Sequence, residues 1–509
     1  MPVSRPLAAL QASAHGFDGF PLPYWSAQGA VLYLGDVRAY LRAMPTRSVH
    51  CVVTSPPYWG LRDYGTATWE GGSTNCDHSS ARVAGRAESV VSAACQVQAN
   101  NPHAGFATYR RSCPTCGANR VDMQLGAETS PDCGTHGQAQ CGACFVCSMV
   151  GVFREVYRVL RDNGTLWLNL GDSYSSGGNV PGGSEKQRRN AEAQRSSAPR
   201  RKIDIPPGNL VGVPWRVALA LQADGWVLRQ DIIWAKKSPM PESVQNRCTK
   251  SHEYVFLFAK QQQGYYCDME AIKEEGQPSS VRKNAKPHNE DSRKDGTVYG
   301  KESHASGTRT GTNLCNAYSG VDFSVIGRNK RSVWTVASHG YPGAHFAVYP
   351  TKLIEPMILA GTSECGCCAA CGAPYERVVV NTTVPRTAGG GHFGRVDPPN
   401  GWDMDSKLGQ HRQCAEDSCC NTIGWRKVCG CRTDEVVPAI VLDPFVGSGT
   451  TVATAVLLGR AGVGIDLSET YLRENAVPRV EAAIRGERVS RKPTFVVKRG
   501  KPPTPERVF

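Results

Sequence analysis

At 509 residues the chain is long enough for two or more domains and a sizeable core, and hydrophobic residues at 40% with charged residues at 20% are ordinary for a globular protein. No apolar run approaches the roughly 20 residues of a membrane span, and the N-terminus lacks a basic stretch leading into an apolar core, which excludes a helical membrane protein and sets the expectation of a cytoplasmic one. The 58 Lys and Arg against 45 Asp and Glu give a formal charge of +13, which suits a polyanionic partner such as nucleic acid, and 21 cysteines in a reducing compartment point to metal rather than disulfides.

Residues 1–27 are Ala-, Pro- and Gly-rich with little periodicity and read as a loose arm. Residues 28–69 open an α/β core. Val31-Leu32-Tyr33-Leu34 reads as a strand ending at Gly35-Asp36, Val37 to Met44 as a helix, and the apolar run Val49, Cys51, Val52, Val53 as a buried strand closing at Thr54. The strand stops abruptly at Ser55-Pro56-Pro57-Tyr58-Trp59, because proline has no N–H to donate and fixes its own φ. Open α/β sheets bind ligands at this carboxyl edge. The loop offers a hydroxyl on Ser55, a carbonyl on Pro56 and two aromatic rings, which suits a planar base carrying an exocyclic amino group. Taken alone it is equally a Pro-Pro turn with two packed aromatics.

Residues 70–150 lose the pattern and gain cysteines. Cys76, His78, Cys113 and Cys116 form one candidate metal quartet, and Cys133, Cys141, Cys144 and Cys147 a second. Paired knuckles of this spacing place sulfurs at tetrahedral reach of one ion and leave no open position, so structural zinc is expected rather than catalytic zinc. The core resumes over 151–272, with a helix carrying Phe153, Val156, Tyr157 and Leu160, a stop at Asn163-Gly164, and a strand over Thr165 to Leu170. A basic loop at 176–204 interrupts it, followed by a helix at Val211 to Ala223 and strands at Trp226 to Trp234 and Glu253 to Ala259. The loop is either a solvated linker or a segment that orders on a phosphate backbone. Residues 273–332 are polar and read as an inserted recognition region, and 333–362 return to the core with a helix at Pro350 to Ala360.

A second cysteine-rich insertion spans 363–433. Its expected quartet is Cys368, Cys371, Cys429 and Cys431, with Cys365, Cys367, Cys414, Cys419 and Cys420 as alternatives or a further site. Three filled zinc sites would lower the net charge to roughly +8, because bound cysteines are thiolates. Residues 434–484 carry a strand at Ala439 to Leu442, the loop Asp443-Pro444-Phe445-Val446-Gly447-Ser448-Gly449-Thr450-Thr451, a helix from Val452, and a strand at Val463 to Ile465 ending in Asp466; residues 485–509 are a basic tail. Small residues between strand and helix let the backbone approach a ligand, and an acid at the end of the next strand can accept from both hydroxyls of a ribose. No Gly-Lys-Thr follows, so the loop is not a triphosphate cradle.

Ser55-Pro56-Pro57-Tyr58 together with Asp443-Pro-Phe-Val-Gly-Ser-Gly resembles the DNA amino-methyltransferases, S-adenosylmethionine-dependent enzymes that methylate cytosine N4 or adenine N6. Gly35-Asp36, the run Phe153 to Leu160, Leu168 to Asp172, Trp234-Ala-Lys236, His252 to Lys260 and Gly343 to Pro350 agree with it. The catalytic motif precedes the cofactor loop, which resembles the permuted beta class. The resemblance implies a Rossmann-like α/β methyltransferase fold, circularly permuted and here carrying small zinc-binding insertions, with 273–332 as the target-recognition region. It also implies that Asp443, Phe445, Gly447 and Gly449 surround the methionine part of the cofactor, that Pro444, Ser448 and Thr450 belong to the same cofactor site, that Asp466 holds the ribose, and that Asp36, His345 and Pro350 lie near the adenine pocket. Asp36 reads equally as a helix cap and His345 as a packed imidazole.

In this reading Ser55 Oγ and the Pro56 carbonyl accept the amine's N–H bonds, Pro57 shapes the loop, and Tyr58 stacks on a base flipped from double-stranded DNA. No Pro-Cys dipeptide occurs, which sets the chain apart from carbon-5 cytosine methyltransferases. Serine at the first position resembles the cytosine-N4 enzymes, with adenine N6 as the alternative and a cognate restriction endonuclease as a partner. Two further readings stay open: a zinc-stabilised nucleic-acid-binding protein with an inactive core, and an RNA or protein methyltransferase.

Overall fold

A computed structural model of the chain describes residues 22–59, 68–78, 82–83, 108–109, 112–121, 125–126, 128, 130–134, 141, 144–175, 205–206, 208–239, 242, 244–274, 328–338, 348–381 and 420–487. The chain divides into two units, residues 1–268, 331–374 and 428–509 in the first and residues 269–330 and 375–427 in the second.

The first unit is organised by strands whose residues are buried on both faces, as parallel strands between helical layers must be. Every residue of Val49–Thr54 is buried. In chain order the strands are β1 (Trp25–Ala27), β2 (Ala30–Leu34), β3 (Val49–Thr54), β4 (Leu160–Leu170), β5 (Val227–Lys236), β6 (His252–Ala259), β7 (Val333–Val336), β8 (Ile440–Asp443) and β9 (Ala461–Asp466). They form one sheet in the order β1-β2-β9-β8-β3-β4-β6-β5-β7. From β2 to β4 all neighbours are parallel; β6 is antiparallel to both β4 and β5.

Alternate residues of a strand face opposite sides of a sheet, and β2 shows the two layers directly. Val31 and Tyr33 join the core formed with helices α1 (Val37–Ala43), α2 (Phe145–Val159) and α3 (Val213–Ala223). Ala30 and Leu32 join the core formed with α5 (Thr450–Leu457) and α6 (Val477–Ile484). The helix α4 (Thr351–Gly361) completes the set used below.

Three elements differ from the sequence expectation. Trp25–Ala27, assigned to the loose arm, is an edge strand paired antiparallel with β2 across a two-residue turn containing Gly29 at φ +77°. The helix expected from about Val152 starts at Phe145, inside the second cysteine quartet, with Cys144 as its N-cap and the Cys147 N–H donating to Cys144 Sγ. It ends at Val159, and β4 begins at Leu160 rather than Thr165. The other patterned elements lie within a few residues of their expected bounds.

The second unit contains an antiparallel pair, Glu376–Asn381 with Cys420–Arg426, braced by an Arg426–Glu376 ion pair at 2.6 Å and by Arg377 over the Trp425 ring. A short turn at Glu270–Ile272 precedes a bridge between Glu274 and Arg328. Most of the expected recognition region 273–332, the basic loop 176–204, residues 1–21 of the arm and residues 488–509 of the tail lie outside the described residues.

Candidate active site

The strands β3 and β8 are neighbours, so the loops that follow them meet although they are far apart in sequence. Thr54 Oγ1, the last residue of β3, donates to Asp443 Oδ1 at 2.7 Å. Thr451 Oγ1 lies within hydrogen-bond reach of Val53 O on one side and Asp443 Oδ2 on the other. Ser55 and the cofactor-type loop therefore share one sheet edge.

On the catalytic side, Pro56-Pro57 ends the ladder and turns Tyr58 back beneath β4 and β6. Ser55 Oγ donates to Tyr58 Oη at 3.2 Å, and Tyr58 Oη lies 2.7 Å from Glu253 Oε2 and 3.1 Å from Asn169 Oδ1. Lys236 Nζ pairs with Glu253 Oε1 at 2.6 Å. Trp59 is buried and its Nε1 donates to Glu128 O at 2.9 Å. Gly126, at φ +91°, lies against the same loop: a Cβ there would come within 2.9 Å of Tyr58 O. Glu128 Oε2 accepts from Gly126 N at 2.8 Å. The cysteine-rich insertion thus supplies the floor of the catalytic loop. Glu128 and Gly126 had no signal in the sequence, because nothing in their spacing marks a contact with residue 58.

On the cofactor side, Asp443 is fully buried and accepts four hydrogen bonds, from Thr54, Tyr349 (2.8 Å), Thr451 (2.7 Å) and Phe445 N (3.1 Å). Burial raises its carboxyl above the usual range against those bonds, and burial with the Asp443 charge raises the Tyr349 phenol. Gly449, at φ +78°, is the N-cap of α5. Ser448 and Thr450 are both held by Arg479 Nη1. At the end of β9, Asp466 Oδ2 accepts from Gly447 N and Oδ1 from Ser468 N, each at 2.8 Å. Burial pushes its carboxyl up to about 6, opposed by those amides, and Asp443 adds to the rise. These amides take up part of the roughly four lone-pair sites that the two Asp466 oxygens offer.

Asp36 caps α1 by accepting from Arg38 N at 2.9 Å and pairs with the Arg38 guanidinium at 2.7 Å. Burial disfavours its charge, but the Arg38 bonds outweigh that and hold its carboxyl below the usual range. Gly35 N donates to Asp466 O at 2.8 Å, which puts Gly35-Asp36 beside the cofactor-type loop. Pro350 is the N-cap of α4, and the preceding Tyr349 is the residue that reaches Asp443. His345 lies outside the described residues. Asp172, at the end of the Leu168 to Asp172 run, accepts from Gly212 N and Val213 N at 3.0 Å and so anchors the start of α3.

All three expected cysteine quartets come together: Cys76, His78, Cys113 and Cys116; Cys133, Cys141, Cys144 and Cys147; Cys368, Cys371, Cys429 and Cys431, with the ligand atoms of each set within 4.8 Å of one another. Tetrahedral ligation at a Zn–S distance of about 2.3 Å separates the sulfurs by about 3.8 Å. Cys76 and Cys113 lie 3.8 Å apart and Cys133 and Cys147 3.5 Å, far beyond the roughly 2.05 Å of a disulfide. The donor sets fit zinc and leave no vacant position. Cys414 and Cys419 lie outside the described residues, while Cys365 and Cys367 join no quartet.

The third quartet is coupled to the sheet through His50, which sequence reasoning passed over. Ile440 N donates to His50 Nδ1 at 3.0 Å, so the proton sits on Nε2, which donates to Gly372 O at 3.0 Å. Burial, with the Arg161 charge, lowers the imidazole to about 4.

A sequence profile of the DNA methylase family with N6 and N4 specificities matches residues 49–369 and 437–477. The Type II methyltransferase M.Cfr9I of Citrobacter freundii is 33% identical over 334 residues, covering 66% of this chain and 73% of that protein. M.SmaI of Serratia marcescens is 32% identical over 335 residues, covering 66% and 76%. The solved structure of PvuII DNA methyltransferase, cytosine-N4-specific, aligns at 12% identity with a TM-score of 0.39 over 91% of this chain and 96% of that one, a superposition too loose to bear on the site. With both motif loops on one sheet edge and the match spanning them, the chain belongs to the S-adenosylmethionine-dependent N6/N4 DNA methylases and is a Type II DNA methyltransferase that modifies an exocyclic amino group.

Proposed function

We propose that this enzyme methylates cytosine N4, with Ser55 and Pro56 as the groups that hold the amine. The observation that carries the assignment of the loop is the Thr54–Asp443 bond, which sets Ser55 beside the Asp443–Thr450 loop. Serine in place of aspartate or asparagine supports cytosine over adenine. Among the described residues, no helix is long and apolar enough to cross a membrane.

The cofactor residues fit S-adenosylmethionine on the chemistry of their donors. Asp443 is a buried carboxylate and Asp466 a partly buried one, and their own partners are hydroxyls and backbone amides, so a cation beside them offsets part of the cost of burying their charge. Asp466 would receive the ribose hydroxyls on its remaining lone pairs, Gly447 and Gly449 would let the ligand lie against the backbone, and Asp36 would face the adenine. When bound, the cofactor supplies an electrophilic methyl on sulfonium. An aromatic amine is a poor nucleophile because its lone pair is delocalised into the ring. Ser55 Oγ and the Pro56 carbonyl accept its two N–H bonds, favour a pyramidal nitrogen and aim the lone pair at the methyl, so alignment and electrostatics supply most of the acceleration. The Tyr58 ring offers a face to the flipped base, a step costing a few kcal/mol.

Each cysteine quartet would hold one structural zinc ion, and metal analysis of the purified protein is expected to find three per chain. Radiolabelled methyl incorporation into unmethylated duplex DNA, RNA and protein is expected in DNA alone, and nucleoside analysis of that DNA is expected to give N4-methylcytosine. Methyl confined to adenine N6 overturns the choice of base; no incorporation by a protein that still binds DNA favours the binding-protein reading. A cognate endonuclease is a further expectation for a Type II methyltransferase.

A further inference from the structure

We propose that Glu253, acting through Tyr58, fixes the Ser55 hydroxyl as a hydrogen-bond acceptor toward the base and receives the proton that the methylated amine releases. The inference rests on the reading above that Ser55 holds the amine, and it assigns roles to the Tyr58 hydroxyl and to Glu253 that base stacking does not require.

The direction of the chain follows from which groups can donate. Asn169 Nδ2 donates to Tyr254 O at 3.0 Å, which turns Asn169 Oδ1 toward Tyr58. A carboxylate has no proton to give, and Glu253 pairs through its other oxygen with Lys236 Nζ at 2.6 Å. Both of these neighbours of Tyr58 Oη therefore accept, and its single proton goes to Glu253, the nearer of the two at 2.7 Å against 3.1 Å. The Tyr58 oxygen is left to accept from Ser55 at 3.2 Å. With its one proton committed, Ser55 presents only lone pairs to the base. Such a site takes an amino group and rejects a carbonyl at the same place, because two acceptors would face each other unpaired. The ring is fixed in this pose by Gly171, where a Cβ would come within 2.5 Å of the Tyr58 ring.

The same bonds provide a route for the proton. As the amine lone pair forms the N–C bond, the C–S bond breaks and its electrons stay on sulfur, leaving a thioether. The nitrogen then carries one proton too many. That proton passes to Ser55 Oγ, the Ser55 proton passes to Tyr58 Oη, and the Tyr58 proton passes to Glu253 Oε2, which ends as a neutral carboxylic acid beside Lys236. Glu253 is 14% exposed, enough to return the proton to water when product leaves. Glu253 touches neither base nor cofactor in this scheme and is a positioning residue.

The test is single-turnover methyl transfer on unmethylated phage DNA with the full-length protein, for Glu253→Gln, Tyr58→Phe, their double variant and Ser55→Ala, with S-adenosylmethionine affinity measured for each. Both single variants are expected to slow transfer about 10²-fold, the lower range for a lost proton-transfer group, with cofactor Kd within twofold of the parent. The double variant is expected to be no slower than either single one, since both cut the same chain. Transfer within threefold of the parent in either single variant overturns the proposal, as do losses that multiply in the double variant. A parallel loss of cofactor binding overturns it too, by making Glu253 structural. If Ser55→Ala retains full transfer, the underlying reading of Ser55 fails; if Ser55→Ala is inactive while Glu253→Gln is unimpaired, only the relay fails.

Discussion

The two loops at the centre of the sheet edge solve opposite problems with the same chemistry. Asp443 is sealed: its carboxylate is fully buried and takes four hydrogen bonds from its own chain. The network behind Ser55 is open: it runs in one direction, is only partly buried, and begins at the Ser55 oxygen at the sheet edge. A closed network of this kind fixes the backbone and contributes to stability. An open one leaves capacity for a substrate, and breaking it affects turnover rather than folding.

That contrast can be broken most severely at Asp443. Asp443→Ala removes the acceptor that Thr54, Tyr349, Thr451 and Phe445 N share in a buried site, and the expected loss is about 4 kcal/mol of unfolding free energy, read by urea denaturation. Ser55→Ala should leave that quantity unchanged within error. A small stability loss for Asp443→Ala would show the network to be less closed than its geometry.

His50 sharpens the same comparison through pH. In an unfolded chain an imidazole takes its proton near 6.5, whereas His50 in the fold resists it down to about 4. The unfolded state binds more protons in that window, so stabilisation present above about 6.5 is lost as pH falls toward 4, about 3 kcal/mol in total. Protonation would also set a second donor against the Ile440 N–H. His50→Gln should flatten the dependence of stability on pH in this range.

Gly126 tests the catalytic side from beneath. Gly126→Ala meets both a left-handed backbone and the close Tyr58 carbonyl, an expected cost of about 1–2 kcal/mol. Methyl transfer should fall about tenfold, with cofactor affinity unchanged if the contact serves only the catalytic loop. Asp466 gives an effect of the opposite sign to that of His50. Its carboxyl is raised to about 6 in the fold against about 3.9 unfolded. It contributes stability below about 3.9 that is lost as pH rises through about 6. Cofactor binding should improve over the same rise, because the charged form is the better acceptor. Titration calorimetry should show this dependence in the parent and not in Asp466→Asn.

Much of the site was legible in the chain itself. The Pro-Pro stop, the glycine loop between strand and helix, and the acid at the next strand end are local signals, because each reflects what a few consecutive residues can do at the edge of a sheet. The cysteine pairs were legible for the same reason: their short spacings restrict where the sulfurs can go, while which pairs share a quartet is decided by the fold. Two elements misled. Trp25–Ala27 is too short to show a period, and its pairing with Ala30–Leu34 is a property of the turn. The start of α2 at Phe145 was hidden because its N-cap is a cysteine counted as a metal ligand.

What the sequence determined by itself is the list of parts: a Pro-Pro stop after a buried strand, a glycine loop between strand and helix, and closely spaced cysteine pairs, each encoded in a few neighbouring residues. The tertiary structure decided which parts touch. Two acids stand in comparable motif runs, yet Asp172 anchors a helix while Glu253 reaches Tyr58. His50 joins residues 372 and 440, and Thr54 meets Asp443 across 389 positions of chain. Such contacts depend on strand order and register, and those follow from the packing of the whole sheet rather than from any local stretch.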